Sequence, residues 1–230
     1  MRELHEDPCS GTPICRVVER DHDHGWTTEG MSWPAPGEEP GVKTIILDDK
    51  STAKRATQHW AKEKEAKVGV GVWMWWTDGS HSDNGRVGAA AMFNHGTEWR
   101  ARCRYLDTGH MDLFDAELWA IGLTLGETVK KRETLQRHGV MTVAVFSNLQ
   151  AAIRRMAHPE PYSGQQAARR INRRVQALLA NCITTEIHWV PGYSGVPRNK
   201  EADHQVNLTG EASQNLTIER AYTLASNRAG

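Results

Sequence analysis

Apolar positions along the chain change period several times, and each change predicts an element. Val68 to Thr77 is almost continuously apolar and reads as a buried strand. Asp83-Asn84-Gly85 signals a turn, and Arg86 to Phe93 resumes as a strand. Asn94-His95-Gly96 turns again, and Thr97 to Leu106 alternates as a third strand. Residues 112–129 then switch period: Phe114, Leu118, Ile121 and Leu125 recur three to four residues apart, which predicts an amphipathic helix. Val140 to Phe146 is a short fourth strand, followed by a helix from Leu149 to Ala157. His158-Pro159-Glu160-Pro161 breaks the chain. Ser163 to Asn181 forms a helix with an apolar stripe of Ile171, Val175 and Leu178. Thr184 to Val190 is a fifth strand, and after the loop from Pro191 to Asn199 a last helix begins near Lys200. A meander of three antiparallel strands followed by helix–strand alternation predicts an α/β fold, a five-stranded mixed sheet flanked by helices.

The first part of the chain reads differently. Residues 1–41 hold most of the nine prolines, scattered acids and little apolar period, so they are expected to be disordered. Asp21-His22-Asp23-His24 within them reads as a flexible polar tract rather than a metal site, since no second ligand group follows at a defined spacing. Residues 51–67 predict a solvated helix with Ser51 as its cap. The expected organisation is an extension over 1–67 with a linker helix at 51–67, a domain over 68–210, and a tail over 211–230.

Composition narrows the function classes a little. The chain has 230 residues and a formal net charge of zero, so no global field points to a polyanion. Locally, residues 73–209 carry 16 Lys and Arg against 13 Asp and Glu, a small positive excess in the expected domain. No apolar run is long enough to span a bilayer and the N-terminus has no signal-peptide core, which gives the expectation of an intracellular protein with no membrane partner. Cys9, Cys15, Cys103 and Cys182 have no framework spacing; Cys103 and Cys182 are expected to be small core residues.

The candidate chemistry lies where acids meet the strand ends. Asp78 is expected to end the first strand, with Gly79 and Ser80 turning the chain straight after it. Glu117 lies early in the first helix of the domain, Asn148 just after the fourth strand, and Asp203 near the start of the last helix. If the first and fourth strands are parallel neighbours, their ends emerge on one edge of the sheet. Carboxylates gathered there would repel one another unless cations screened them, and hard divalent ions are the usual occupants. Trp75 and Trp76 are expected in the core, and His110 and His188 as structural residues. The arginines at 169, 170, 173 and 174 read equally as a phosphate grip or a solvated helix face.

Five words in this order resemble the ribonuclease H family, and more closely the ribonuclease H domain of LINE-type retrotransposons of fungi. They are WTDGS at 76–80, GAAA at 88–91, DAELWAI at 115–121, FSNLQAAI at 146–153 and HWVPGYSGVPRNKEAD at 188–203. The resemblance implies a ribonuclease H-like fold and metal-dependent endonucleolytic cleavage of the RNA strand of RNA/DNA hybrids. It also implies two Mg2+ ions, with Mn2+ as the alternative, and an origin beside a reverse transcriptase. It carries the catalytic positions onto Asp78, Glu117, Asn148 and Asp203, with Asp78, Glu117 and Asp203 as metal ligands. Gly79, Ser80, Asn84, Tyr193, Arg198 and Asn199 are the positions expected to touch the hybrid or another duplex.

The departures from the family pattern set the expected activity. Asn148 stands where the family has aspartate, and an amide brings an oxygen but no charge. Tyr193 stands where a histidine is usual, and a phenol is a poor proton shuttle at neutral pH. Leu149 replaces a small polar residue. Cleavage is therefore expected to be weakened or lost. The alternatives are an inactive nucleic-acid-binding module and a protein-interaction domain from a retroelement remnant.

Overall fold

The computed structural model describes residues 42–65, 71–81, 87–95, 98–106, 113–157, 164–192 and 196–211. The expectations for 1–41, the 83–85 turn, His110, Tyr193 and the 212–230 tail lie outside these residues.

Eleven elements follow in the order β1 (Val42–Ile45), α1 (Lys50–Glu65), β2 (Val72–His81), β3 (Val87–His95), β4 (Glu98–Leu106), α2 (Leu113–Arg137), β5 (Thr142–Ser147), α3 (Gln150–Ala157), α4 (Gln165–Leu179), β6 (Thr184–Trp189) and α5 (Pro197–Glu211). The sheet order is β1-β6-β5-β2-β3-β4. Strands β2, β3 and β4 form the antiparallel meander, while β2, β5, β6 and β1 run parallel. The predicted mixed α/β sheet is present, but with six strands rather than five. The added strand, β1, comes from the stretch expected to be an extension. Its short Val-Lys-Thr-Ile run pairs in parallel with β6, from Val42 opposite Thr185 to Ile45 opposite His188.

Several boundaries differ from the expected ones for local reasons. Helix α2 runs two turns past residue 129, because Leu135 continues the buried stripe and Lys130 bridges Glu127 at 2.9 Å. It stops at Gly139, whose φ of 71° suits glycine. Helix α5 starts at Pro197 rather than near Lys200, since proline is well tolerated in the first helical turn, where its missing N–H has no intrahelical partner. The cap of α1 is Asp49 and not Ser51. Its carboxylate accepts the Thr52 backbone N–H at 2.7 Å and the Ser51 hydroxyl at 2.5 Å. These bonds, the one from Ser51 foremost, hold the Asp49 carboxyl well below the usual carboxylate range.

Strand alternation divides the core between the two faces of the sheet. Trp75, Phe93, Val145 and Ile187 point to one face, under Leu118, Ile121 and Leu125 of α2 and Ile171, Val175 and Leu178 of α4. Met74, Trp76, Met92, Ala144 and Phe146 point to the other, with Val196 before α5 and Ala202 within it. Trp75 and Trp76 are both fully buried, and the Trp75 indole donates to Thr128 Oγ1 at 3.1 Å, tying β2 to α2. Two of the four clustered arginines are spent on packing. Arg174 donates to the Gly122 carbonyl at 2.6 Å and Arg170 lies over the Trp119 ring at 4.9 Å, so both brace α4 against α2. Arg169 and Arg173 are exposed. Cys103 is a partly buried thiol, whereas Cys182 is disulfide-bonded rather than the small core thiol expected. Among the described residues, no helix is long and apolar enough to cross a membrane.

Helix α1 is docked on the sheet rather than fully solvated. Trp60 meets the Phe146 ring edge-on at 5.2 Å and lies tilted on His188 at 4.4 Å. His188 is itself stacked on Phe146 and bonded to Glu186 at 3.2 Å, a structural role as expected. Truncating Trp60 to alanine removes the apolar face that holds this helix. The expected cost is about 2 kcal/mol, below that of a fully buried tryptophan, read as a shift of the urea midpoint.

Candidate functional site

The site is set by strand register. Trp76 of β2 lies opposite Phe146 of β5 in the last parallel pair of these two strands. Asp78 and Asn148 each follow two residues later, so alternation returns both side chains to the same face, side by side. The Asn148 amide donates to Asp78 Oδ1 at 2.8 Å. The reversed amide would set two oxygens against each other, so the neighbouring carboxylate fixes its orientation.

Asp78 does not end its strand. Gly79, Ser80 and His81 continue the ladder with β3, opposite Ala89, Gly88 and Val87. On the β5 side pairing has already ceased, and this one-sided end is what frees the carboxylate. Glu117 arrives from the other face of the sheet. The second turn of α2 lies directly on Gly79, where an added Cβ would fall 2.6 Å from the Glu117 nitrogen and 2.7 Å from the Ala116 carbonyl carbon. Only a glycine lets the helix come this close, and the approach carries the Glu117 carboxyl over to Asp78.

Three groups that the sequence reading did not single out position the site. Ser147 Oγ donates to Glu117 Oε2 at 3.4 Å, Thr77 Oγ1 holds the Phe146 carbonyl at 3.0 Å, and the Trp189 indole holds the Asn148 carbonyl at 3.0 Å. A buried hydroxyl beside a strand end was the only local signal, and it is a weak one. Asp115, two residues before Glu117 on α2, is also buried.

Asp78 and Glu117 are 3 % and 1 % exposed. Burial raises both carboxyls. Asp78 is pushed up to about 6, with the charge of Asp203 adding to the burial and hydrogen bonds from Glu117, Asn148 and the Gly79 backbone opposing it. Glu117 stands well above its ordinary value through burial, the Asp78 charge and the hydrogen bond with Asp78. Both carboxyls are held above their ordinary values, so the buried pair gives up its protons as a unit and less readily than two free carboxyls would.

Asp203 is exposed on α5 and accepts from Asn207 at 3.4 Å. It reaches the buried pair through its field rather than through a bond. Of the positions expected to touch nucleic acid, Gly79 and Ser80 follow Asp78 on β2. Asn199 is buried on α5 with no partner for its Oδ1 among the described residues, and Arg198 is on the same helix. Asn84 and Tyr193 lie outside the described residues.

Among the described residues, no three His, Cys, Asp or Glu side chains gather closely enough to form a ready metal centre. The donors suit a hard cation in a reduced way. Among the described residues, no basic side chain is bonded to the two buried carboxyls, while the third position, Asn148, offers a neutral amide turned N–H first.

A pH dependence follows. A carboxyl raised by folding adds stability that is complete below its unfolded value and lost as pH rises through its folded value. With chelator present, the fold is expected to lose about 3 kcal/mol through Asp78 as pH rises from about 4 to just above 6. Glu117 extends the loss to higher pH. Thermal unfolding at pH 5 and 7.5 checks the sign, and Asp78→Asn is expected to flatten the lower part of the curve.

No protein-family model matches the chain, and no curated protein matches it. Among solved structures it is similar to RNase H1 from the halophilic archaeon Halobacterium salinarum NRC-1, at 18 % identity and a TM-score of 0.43, over 62 % of this chain and 99 % of that one.

Proposed function

We propose that the chain is a ribonuclease H-type nucleic-acid domain, of the kind carried by LINE-type retrotransposons of fungi, in which cleavage of RNA/DNA hybrids is weakened or lost. The observation that carries this reading is the Asn148–Asp78 bond at 2.8 Å within the β2–β5 register. It supports a four-position site whose third member has become an amide.

A magnesium ion held by Asp78, Glu117 and Asp203 would polarise the scissile phosphate and acidify a water. The chain's own residues then explain the loss. One Asp78 oxygen is engaged by the Asn148 amide, burial holds the Glu117 carboxyl well above its ordinary value, and Asp203 is exposed, so little anionic charge is free to draw the ion in. In-line phosphoryl transfer is sensitive to the placement of its reacting groups, at about a hundredfold in rate per 1 Å. Binding without cleavage is the second reading, favoured by the same hydrogen bond.

Two measurements test the proposal: hybrid affinity at low salt, and hybrid cleavage in Mg2+ and Mn2+. Hybrid binding with trace or no cleavage is expected. Robust cleavage by the natural chain would overturn the inferred defect. Absence of any hybrid binding would remove the nucleic-acid reading and leave a protein-interaction domain.

A further inference from the structure

Strand β4 is an outer strand of the sheet, and its alternate residues 100, 102 and 104 are all arginine. Alternate residues share a face and stand about 6.8 Å apart along the strand, so the three form a row about 14 Å long. Cross-strand register fixes where the row runs. Arg104 lies level with Ala89 and Gly79, Arg102 with Ala91 and Thr77, and Arg100 with Phe93 and Trp75. It therefore starts level with Gly79, two strands from it and on the face of the sheet opposite the Asp78 side chain, and recedes along the edge of the sheet.

The row is on the α2 face. The opposite face of β4 is covered by α5, where Cys103 Sγ meets the Gln205 carbonyl at 3.9 Å. Arg100 and Arg102 are exposed and Arg104 is partly so. From α2, Lys131 joins them with its Nζ 4.6 Å from the centre of the Phe93 ring, over which Arg102 lies at 5.8 Å. Glu127 meets Arg102 at 3.9 Å, the outer limit of an ion pair, and is held more closely by Lys130 at 2.9 Å. Positive charge is crowded here: burial holds the Lys131 ammonium below its ordinary value, and Arg102 and Arg100 press the same way against Glu127.

We propose that the arginine row of β4 is a sequence-independent contact for the phosphate backbone of a nucleic-acid strand, separate from the acidic centre. One strand of a duplex carries a phosphate every 3.4 Å or so of axis, so the row spans about four nucleotides. The choice of nucleic acid as the polyanion rests on the function proposed above. The bland account is that charges on an outer strand serve only to block edge-to-edge pairing.

The test is anisotropy of a labelled RNA/DNA hybrid and a DNA duplex across a salt series. It compares the natural chain, Arg100→Gln/Arg102→Gln/Arg104→Gln, and Asp78→Asn. The triple variant is expected to lower the slope of log affinity against log salt by about 2 to 3, with equal effect on both duplexes. Asp78→Asn is expected to leave that slope unchanged. An unchanged slope in the triple variant, or oligomerisation as its only effect, overturns the inference. If hybrid and DNA bind alike but both depend on the row, the row stands and the hybrid reading falls. If only Asp78→Asn alters binding, the row falls and the site reading stands. Should the triple variant fail to fold, the three single variants carry the same test, each expected to lower the slope by about one.

Discussion

Asn148→Asp is expected to gain at least about a hundredfold in Mg2+-dependent hybrid cleavage, and to lose stability when divalent ions are removed. Both follow from one contact. Asn148 now donates an N–H to Asp78 at 2.8 Å, a charge-assisted bond of about 1.5–3 kcal/mol. Aspartate at this position turns that attraction into repulsion between like charges, beside a carboxyl that burial already raises. In chelator the variant is therefore expected to unfold about 4–12 °C below the natural chain. In millimolar magnesium the gap should close, because the ion binds the folded site and not the unfolded chain. The natural chain should show a much smaller magnesium response in calorimetry. Asn148→Ala separates the effects, since it breaks the bond without adding charge and should gain neither ion nor activity. An Asn148→Asp chain that binds no more magnesium than the natural one and leaves hybrid intact would show that the defect lies elsewhere.

The second large effect belongs to a residue with no functional group. Gly79→Ala is expected to cost about 3 kcal/mol or more, because its Cβ would fall 2.6 Å from the Glu117 nitrogen, 2.7 Å from the Ala116 carbonyl carbon and 2.9 Å from Ala116 Cβ. Two of these neighbours are helix backbone, which cannot swing aside as a long side chain can. Relief requires α2 to lift from β2, and that uncouples Glu117 from Asp78 and Ser147 from Glu117. A urea titration reads the loss of stability. Placed in the Asn148→Asp background, the same substitution should abolish the magnesium response even in molecules that stay folded. A Gly79→Ala chain of natural stability would mean that the helix does not approach the strand as described.

Glycine 79 also illustrates what could be read in advance. A glycine after a strand-borne aspartate suggested a turn, and the local reading was wrong: β2 continues through His81, and the glycine serves a helix that crosses above it. Local sequence cannot distinguish these cases, because both ask only for a missing Cβ. Asp203 shows the reverse limit. Its place early in the last helix was legible, but its exposure was not, since that depends on how α5 rotates on the sheet. Strand β1 was missed because four residues with one lysine carry too little period to announce a strand; its partner, β6, lies more than a hundred residues away.

The chain's own pattern determined the order of the domain's strands and helices, the alternation that buries Trp75 and Trp76 on opposite faces, and the chemical types offered at 78, 117, 148 and 203. Those properties depend on neighbours a few residues apart. Only the tertiary structure decided that Asp78 and Asn148, 70 positions apart, share one hydrogen bond, that burial raises the Glu117 carboxyl, and that a row of arginines begins level with Gly79. Each of these rests on strand register and on a helix packing distance. A shift of one residue in that register would turn Asp78 and Asn148 to opposite faces while leaving every local pattern unchanged.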